Sequence, residues 1–268
     1  MRAGIISARF RLRHSKIEIV STFGDRLAVV EEKIEAACRR AGRSRGEVRL
    51  MAVSKTHPAA AIAEAVQAGI SLFGENRVQE FERKSAELIA AGVGVRAGAN
   101  NPQDGKVVEV HLIGHLQSNK SAKAAQIFSA VDTVDSLRLA ERLNDAASRQ
   151  GAVLPVLLEV KLSAEEAKTG LDPDGPGLRE LLERAPDLTS LHLRGLMTVA
   201  PFDDNPETAR ACFRRLRELR DKLARSYPGA ALPELSMGMS GDFEIGIEEG
   251  STLIRIGTAL FGAREARA

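Results

Sequence analysis

The chain has 268 residues, of which 44% are hydrophobic and 28% are charged, an ordinary mix for a globular protein. Residues 1–16 carry five basic residues and no acidic one, so the formal net charge of +2 leaves the rest of the chain at −3. This balance, with an aromatic fraction of 4%, excludes a basic, stacking nucleic-acid surface. No apolar run is long enough to span a membrane.

The first 21 residues predict a basic, disordered extension before the globular part. Their Arg- and Ser-bearing composition resembles an organelle transit peptide, and a start codon placed too far upstream explains it equally well. The two cysteines, Cys38 and Cys212, are too far apart to indicate a disulfide framework or a metal site. We therefore expect a reducing, cytoplasmic setting.

After the extension, apolar residues at helical spacing predict a helix over residues 22–42, with cap chemistry at Thr22 and Asp25. Eight strand segments follow: VRLMAVSK, SLFGEN, VEVHLIGH, AVDTVDS, LPVLLEVKLS, LHLRGLMTVA, ELSMGMS and TLIRIGTALFG. The helices predicted between them cover 58–68, 77–91, 118–128, 136–149, 177–185, 205–226 and 241–249.

This unbroken alternation of strands and helices predicts right-handed βαβ units and a parallel sheet. Eight units in about 220 residues indicate one (β/α)₈ TIM-type barrel, an α/β fold, over residues 22–268, with an extra N-terminal helix. The segment 92–105, GVGVRAGANNPQDG, is interpreted as a flexible surface insertion.

Active sites of such barrels lie at the carboxyl ends of the strands. Reading only those ends gives polar candidates, with Lys55 after the first strand. The others are Glu75, Asn76, His115, Gln117, Asn119, Thr198, Ser240, Gly241, Arg255, Gly257 and Thr258. A lysine at such a strand end is often only a snorkelling side chain, but here it points into a polar cup.

The last two of these loops favour a phosphate ligand. SMGMSGDFE places Ser240 and Gly241 at a predicted helix start with Asp242 in the first turn, and IRIGTALFG places Gly257 and Thr258 just past Arg255. Barrels often bind phosphate between these loops, on backbone N–H groups and hydroxyl donors. Caps and turns alone would explain each motif separately.

A lysine opposite a phosphate-binding loop pair fits pyridoxal 5′-phosphate, whose aldehyde forms a Schiff base with a lysine amine. Arg255 would then donate to the pyridine nitrogen and weaken the ring as an electron sink, because a guanidinium cannot accept a proton. The alternative for Arg255 is a structural ion pair with an acid such as Glu248. A cofactor-free alternative makes Lys55 the lysine of a class I aldolase.

Six motifs in order, VSKTHP, FGENRVQE, HLIGHLQSNK, RGLMTVAP, SMGMSGDFE and STLIRIGTALFG, resemble the pyridoxal phosphate homeostasis protein family over roughly residues 23–264. The resemblance implies a barrel like the N-terminal domain of alanine racemase, with the cofactor held as an aldimine. It implies Lys55 as the Schiff-base lysine, Asn76 beside the cofactor and Arg255 facing the pyridine nitrogen. It also implies that Ser240, Gly257 and Thr258 hold the phosphate.

The resemblance further implies a non-catalytic protein of vitamin B6 balance that could pass cofactor to apo-enzymes. The rival is an amino-acid racemase or related enzyme. Two-base racemisation needs a proton acceptor on each face of the substrate, and the single tyrosine, Tyr227, lies at a predicted helix end remote from the barrel mouth. His57 and His115 are the remaining candidate bases. No second domain that could supply another tyrosine is predicted. We also expect a monomer.

Overall fold

The computed structural model describes residues 22–98, 106–162, 169–230 and 232–262, in which parallel strands alternate with helices. The strands are β1 (Arg49–Val53), β2 (Leu72–Glu75), β3 (Val93–Arg96), β4 (Lys106–Leu112), β5 (Ala130–Val134), β6 (Leu154–Glu159), β7 (Leu191–Met197), β8 (Glu234–Met239) and β9 (Leu253–Ile256). The α-helices are α1 (Phe23–Arg40), α2 (Ala59–Gln67), α3 (Val78–Ala90), α4 (Ser121–Ile127), α5 (Leu137–Ser148), α6 (Pro176–Arg184), α7 (Pro206–Ser226), α8 (Phe243–Glu248) and α9 (Thr258–Phe261).

Eight of the strands close into a ring. The order runs β2-β1-β9-β8-β7-β6-β5-β4, and β4 pairs back onto β2, with Leu72 opposite Glu109 and Glu75 opposite Leu112. All pairings are parallel, so the carboxyl ends of the eight strands meet at one end of the barrel. The predicted eight-stranded barrel with an N-terminal helix is confirmed.

The ninth strand, β3, corrects the interpretation of residues 92–105 as a flexible surface insertion. Val93–Arg96 pairs in parallel with the first half of β4, from Lys106 to Glu109. The second half of β4, from Glu109 to Leu112, pairs with β2. Val93 and Val95 are buried, so the β-branched residues of this segment pack into the core. Residues 99–105 lie outside the described part, as does the predicted extension of residues 1–21.

The barrel separates an outer core from a small inner one. The outer core packs helices against the outward faces of the strands. The inner cluster consists of Met51, Leu72, Leu157, Met197 and Leu253, which come from five strands around the ring and can meet only in the barrel interior. Because side chains alternate along a strand, residues two positions further along also face inward.

The helix α1 covers the side of the barrel formed by the last units of the chain, packing against α8 and α9. It begins with a capping box in which the Asp25 N–H donates to Thr22 Oγ1 and the Thr22 N–H donates to Asp25 Oδ2, as the sequence predicted. Phe23 contacts Phe261 with ring centroids 5.3 Å apart. This packing places α1 beside the loops after β8 and β9.

Two element boundaries differ from the prediction. Thr258–Phe261, predicted as part of the last strand, forms the short helix α9, and α8 begins at Phe243 with Asp242 as its N-terminal cap residue, not in its first turn. Both cysteines are buried. Within the described ranges, no helix has the length and apolar character needed to cross a membrane.

Candidate functional site at the carboxyl end of the barrel

Lys55 and Asn76 follow two neighbouring strands at the same level. Val53 on β1 pairs with Gly74 on β2, and each candidate lies two residues beyond its member of that pair. Both are partly exposed. Since alternate residues share a face, both side chains lie at the carboxyl-end opening of the barrel, called here the mouth. The structure therefore brings these two predicted residues together.

Asn76 carries an unsatisfied atom. Its Oδ1 is buried and accepts no hydrogen bond from the described residues. A Cβ added to Gly114, in the loop after β4, would lie 2.3 Å from the Asn76 carbonyl oxygen, so only glycine lets the two loops approach this closely. Buried polar atoms without partners are rare in folded proteins and require an explanation, such as a ligand.

The loops after β8 and β9 also meet. The Ala259 N–H, next to Thr258, points at Ser240 Oγ over 3.5 Å, a long hydrogen bond that leaves both groups available to a stronger partner. Gly257 adjoins β1, since a Cβ there would lie 3.5 Å from Val53 Cβ. Gly257 and the partly exposed Ser240 thus lie on the same side of the mouth as the strand that leads to Lys55.

A small cavity of about 220 Å³ separates these two loops from α1. Ser240 and Ala259 form one wall, and Asp25, Arg26 and Lys33 of α1 contribute to the other. Two cationic side chains against one carboxylate give the cavity a net positive lining. An anion bound at Ser240 would benefit from that charge.

Arg255 lies two residues beyond Leu253 of the inner cluster and is buried inside the barrel. Its Nη1 donates to Ser236 Oγ over 2.7 Å, and its Nη2 donates to the Thr198 carbonyl oxygen over 2.8 Å. Burial lowers the pKa of the guanidinium, while the charges of Asp132, Asp242 and Glu159 oppose that shift.

The alternative of an Arg255–Glu248 ion pair is wrong. Glu248 lies on the outside of the barrel, where it accepts from Arg40 Nε at 2.7 Å and Arg210 Nη2 at 2.9 Å. Position 255 faces the interior and position 248 belongs to α8, so the barrel wall stands between the two side chains. Arg255 therefore keeps its charge inside the barrel with neutral hydrogen-bond partners.

The opposite side of the mouth is acidic, which the sequence reasoning missed. Burial, reinforced by the charge of Asp135, raises the pKa of Glu159 at the end of β6 to about 6. His115 Nδ1 lies 3.3 Å from Asp135 Oδ2, and the imidazole side chain is 51% exposed. Strand alternation from Leu157 would have indicated that Glu159 faces inward.

The other candidates take peripheral places. The His57 ring stacks on Phe261 with centroids 4.9 Å apart, on the α9 side of the mouth. Tyr227 caps the carboxyl end of α7, before β8, and so lies at the amino-terminal end of the barrel, as expected. Two carboxylates, those of Glu75 and Glu80, lie behind Lys55. Both contact a buried lysine, Lys84, that no sequence signal singled out.

Comparison with known proteins gives the family. The family described as alanine racemase, N-terminal domain, matches residues 26–265. A pyridoxal phosphate homeostasis protein of Aquifex aeolicus is 42% identical over 241 residues, covering 90% of this chain and 98% of its own. The chain belongs to the pyridoxal phosphate homeostasis protein family. The recognition based on the six motifs is confirmed.

Solved structures place this family member among related barrels. PipY of Synechococcus elongatus, solved with pyridoxal phosphate bound, is 39% identical with a TM-score of 0.76, covering 90% of this chain and all of that one. An alanine racemase of Clostridium difficile, 14% identical with a TM-score of 0.61, shares the fold. This chain covers only 58% of that racemase, so the match is to part of the larger protein.

Proposed function

We propose that this family member binds pyridoxal 5′-phosphate, attached covalently through Lys55, and acts in intracellular vitamin B6 homeostasis without substantial catalysis. The observation that carries the proposal is the convergence at one barrel mouth of Lys55, the unsatisfied Asn76 Oδ1 and the buried Arg255 cation. The relatives' names and the cofactor bound in PipY support the same ligand.

The residues at the mouth fit each part of this cofactor. Ser240 and Thr258 supply hydroxyl donors, and Gly257 a close backbone, for a phosphate dianion in a positively lined corner. Asn76 Oδ1 can accept a hydrogen bond from a ring substituent, and the Arg255 guanidinium can donate one to the pyridine nitrogen. The cofactor supplies an aldehyde whose carbon bonds to a primary amine with loss of one water, a condensation that hydrolysis reverses.

The position of Arg255 supports storage over catalysis. A guanidinium stays protonated, so a pyridine nitrogen that accepts its hydrogen bond carries no proton of its own. The unprotonated ring is then a weak electron sink. Tyr227, the single tyrosine of the chain, lies at the far end of the barrel and cannot serve as a base at the mouth. With only two cysteines, both of them buried, we propose a cytoplasmic location for the chain. We also propose that it acts as a monomer.

A racemase or related amino-acid enzyme is the second candidate, favoured by the acidic side of the mouth. Glu159, with a pKa of about 6, and the His115–Asp135 pair could move protons near neutral pH. We rank it second because the Arg255 guanidinium would leave the pyridine nitrogen unprotonated, which weakens the electron sink that proton abstraction from an amino acid requires.

The covalent attachment has a direct test. Adding pyridoxal 5′-phosphate to the purified protein should produce an absorption band at the edge of the visible range, and borohydride should then fix the cofactor on the peptide that contains Lys55. Lys55→Ala should lose both signals while keeping the wild-type unfolding midpoint, because one partly exposed side chain contributes little to the core.

Lys161→Ala is the matched control, since Lys161 follows β6 near the mouth and should leave both signals unchanged. A protein that stays colourless with cofactor present, or one labelled on other lysines alone, would refute the attachment at Lys55.

A further inference from the structure

The two chain neighbours of Lys55 are held from behind by side chains of β2 and α3. The Thr56 N–H donates to Glu80 Oε1 over 2.7 Å. Lys84 Nζ donates to the Ser54 carbonyl oxygen over 3.0 Å, and Ser54 Oγ donates to Glu75 Oε1 over 2.7 Å. The backbone on both sides of Lys55 is therefore fixed by residues that do not reach the mouth.

These side chains form one connected group, called here the clamp: Glu75, Glu80 and Lys84. Lys84 Nζ lies 2.8 Å from Glu75 Oε1 and 2.7 Å from Glu80 Oε1, with 9% of its side chain exposed. Burial raises the pKa of Glu75, and the charge of Lys84 opposes that rise. A buried lysine shared between two carboxylates is costly to assemble, so its place directly behind Lys55 needs a reason.

The backbone at Thr56 supplies that reason. Thr56 has φ 68°, in the left-handed region that a β-branched residue rarely adopts, so the loop needs external contacts to hold this conformation. The Glu80 contact to the Thr56 N–H is such a contact. Without it, the chain after Lys55 would relax to the ordinary region and redirect the lysine side chain.

We propose that Glu80 and Lys84 are positioning residues for Lys55, which hold the loop in the one conformation that presents Nζ to an aldehyde. This inference rests on the proposed function of Lys55. A loop that is competent only part of the time weakens the apparent affinity by the competent fraction. The clamp should thus govern covalent capture while leaving non-covalent recognition of the phosphate and ring intact.

Two ligands separate these effects. Pyridoxal 5′-phosphate can bond to Lys55, whereas pyridoxine 5′-phosphate has the same ring and phosphate but a hydroxymethyl group that cannot bond to an amine. In Glu80→Ala, affinity for pyridoxal 5′-phosphate should fall about tenfold, as expected if the loop then adopts the competent conformation about one tenth of the time. Affinity for pyridoxine 5′-phosphate should stay within about twofold of wild type.

Conservative and matched variants make the test specific. Glu80→Gln keeps an acceptor for the Thr56 N–H and should retain near wild-type capture. Glu87→Ala removes an exposed carboxylate two turns along α3 and should change neither affinity. Glu80→Asp, too short to reach Thr56, replaces Glu80→Ala if that variant does not fold.

Equal loss of both ligands in Glu80→Ala, or no loss of either, would overturn the clamp. Failure of the proposed function is a different result: Lys55→Ala would then bind pyridoxal 5′-phosphate as tightly as the wild-type protein does.

Discussion

At the scale of single residues, Glu159 carries a proton at higher pH than an ordinary glutamate. Its folded-state pKa of about 6 exceeds the value of 4.5 expected in the unfolded chain, because burial disfavours the carboxylate. The stability that this carboxyl contributes is fully present below pH 4.5 and is lost as the pH rises through about 6. The difference corresponds to about 2 kcal/mol in the free energy of unfolding.

Glu159→Gln should therefore raise the free energy of unfolding of the cofactor-free protein by about 1–2 kcal/mol at pH 7.5. At pH 4 the variant and the wild type should be equally stable, because both then have a neutral side chain. Urea unfolding at several pH values measures this. Glu87→Gln, an exposed change, is the control and should stay within about 0.5 kcal/mol throughout. A wild-type advantage at pH 7.5 would show that the carboxylate is satisfied in the folded state.

The residues that strand ends bring to the mouth could be predicted from the sequence, since a parallel barrel gathers those ends in one place. Lys55, Asn76 and Arg255 were found in this way. Glu80 and Lys84 could not be, because their contact with the loop after β1 depends on how α3 packs behind it. A pattern along the chain carries no information on such a contact.

At the scale of elements, the approach of the loop after β4 to the end of β2 fixes Asn76. In Gly114→Ala, the new methyl group would lie 2.3 Å from the Asn76 carbonyl oxygen, so one loop must move. We expect the free energy of unfolding to fall by about 1–3 kcal/mol, as for other overpacked sites, and cofactor affinity to fall with it. Urea unfolding and titration with pyridoxal 5′-phosphate measure the two effects. Gly46→Ala is the control: nothing lies within 4 Å of the added atom, so neither the free energy of unfolding nor the affinity should change. Unchanged affinity in Gly114→Ala would show that the position of Asn76 does not affect cofactor binding.

Two elements were mispredicted for physical reasons. Residues 93–96 read as a loop because GVGVRAG is short and rich in glycine, yet pairing with β4 buries both valines. Residues 258–261 read as strand because a short apolar run fits either structure, and only the turn at Gly257 makes them helical. The eight barrel strands were predicted because their spacing repeats along the whole chain.

At the scale of the whole molecule, the proposed function requires the barrel both to bind and to release its ligand. We expect the loaded protein to transfer pyridoxal 5′-phosphate to an apo-transaminase, measured as regained transaminase activity, because hydrolysis would free a cofactor attached at Lys55. With common amino acids alone, turnover should not exceed trace levels. Sustained turnover that is abolished by changing Lys55 together with His115 would instead establish the second candidate function.

Within the described residues, ion pairs join neighbouring strands at the amino-terminal end of the barrel, away from the mouth. Arg49 and Arg96 both contact Glu109, at 2.7 Å and 2.6 Å, and Arg194 contacts Glu234. These pairs join β1, β3 and β4, and β7 and β8, at the end opposite Lys55. For protein engineering, the two ends of the barrel can thus be changed separately. If Lys55 forms the proposed bond, libraries that randomise the loops at the carboxyl end should retarget it toward other aldehydes, while the ion pairs at the amino-terminal end stay unchanged.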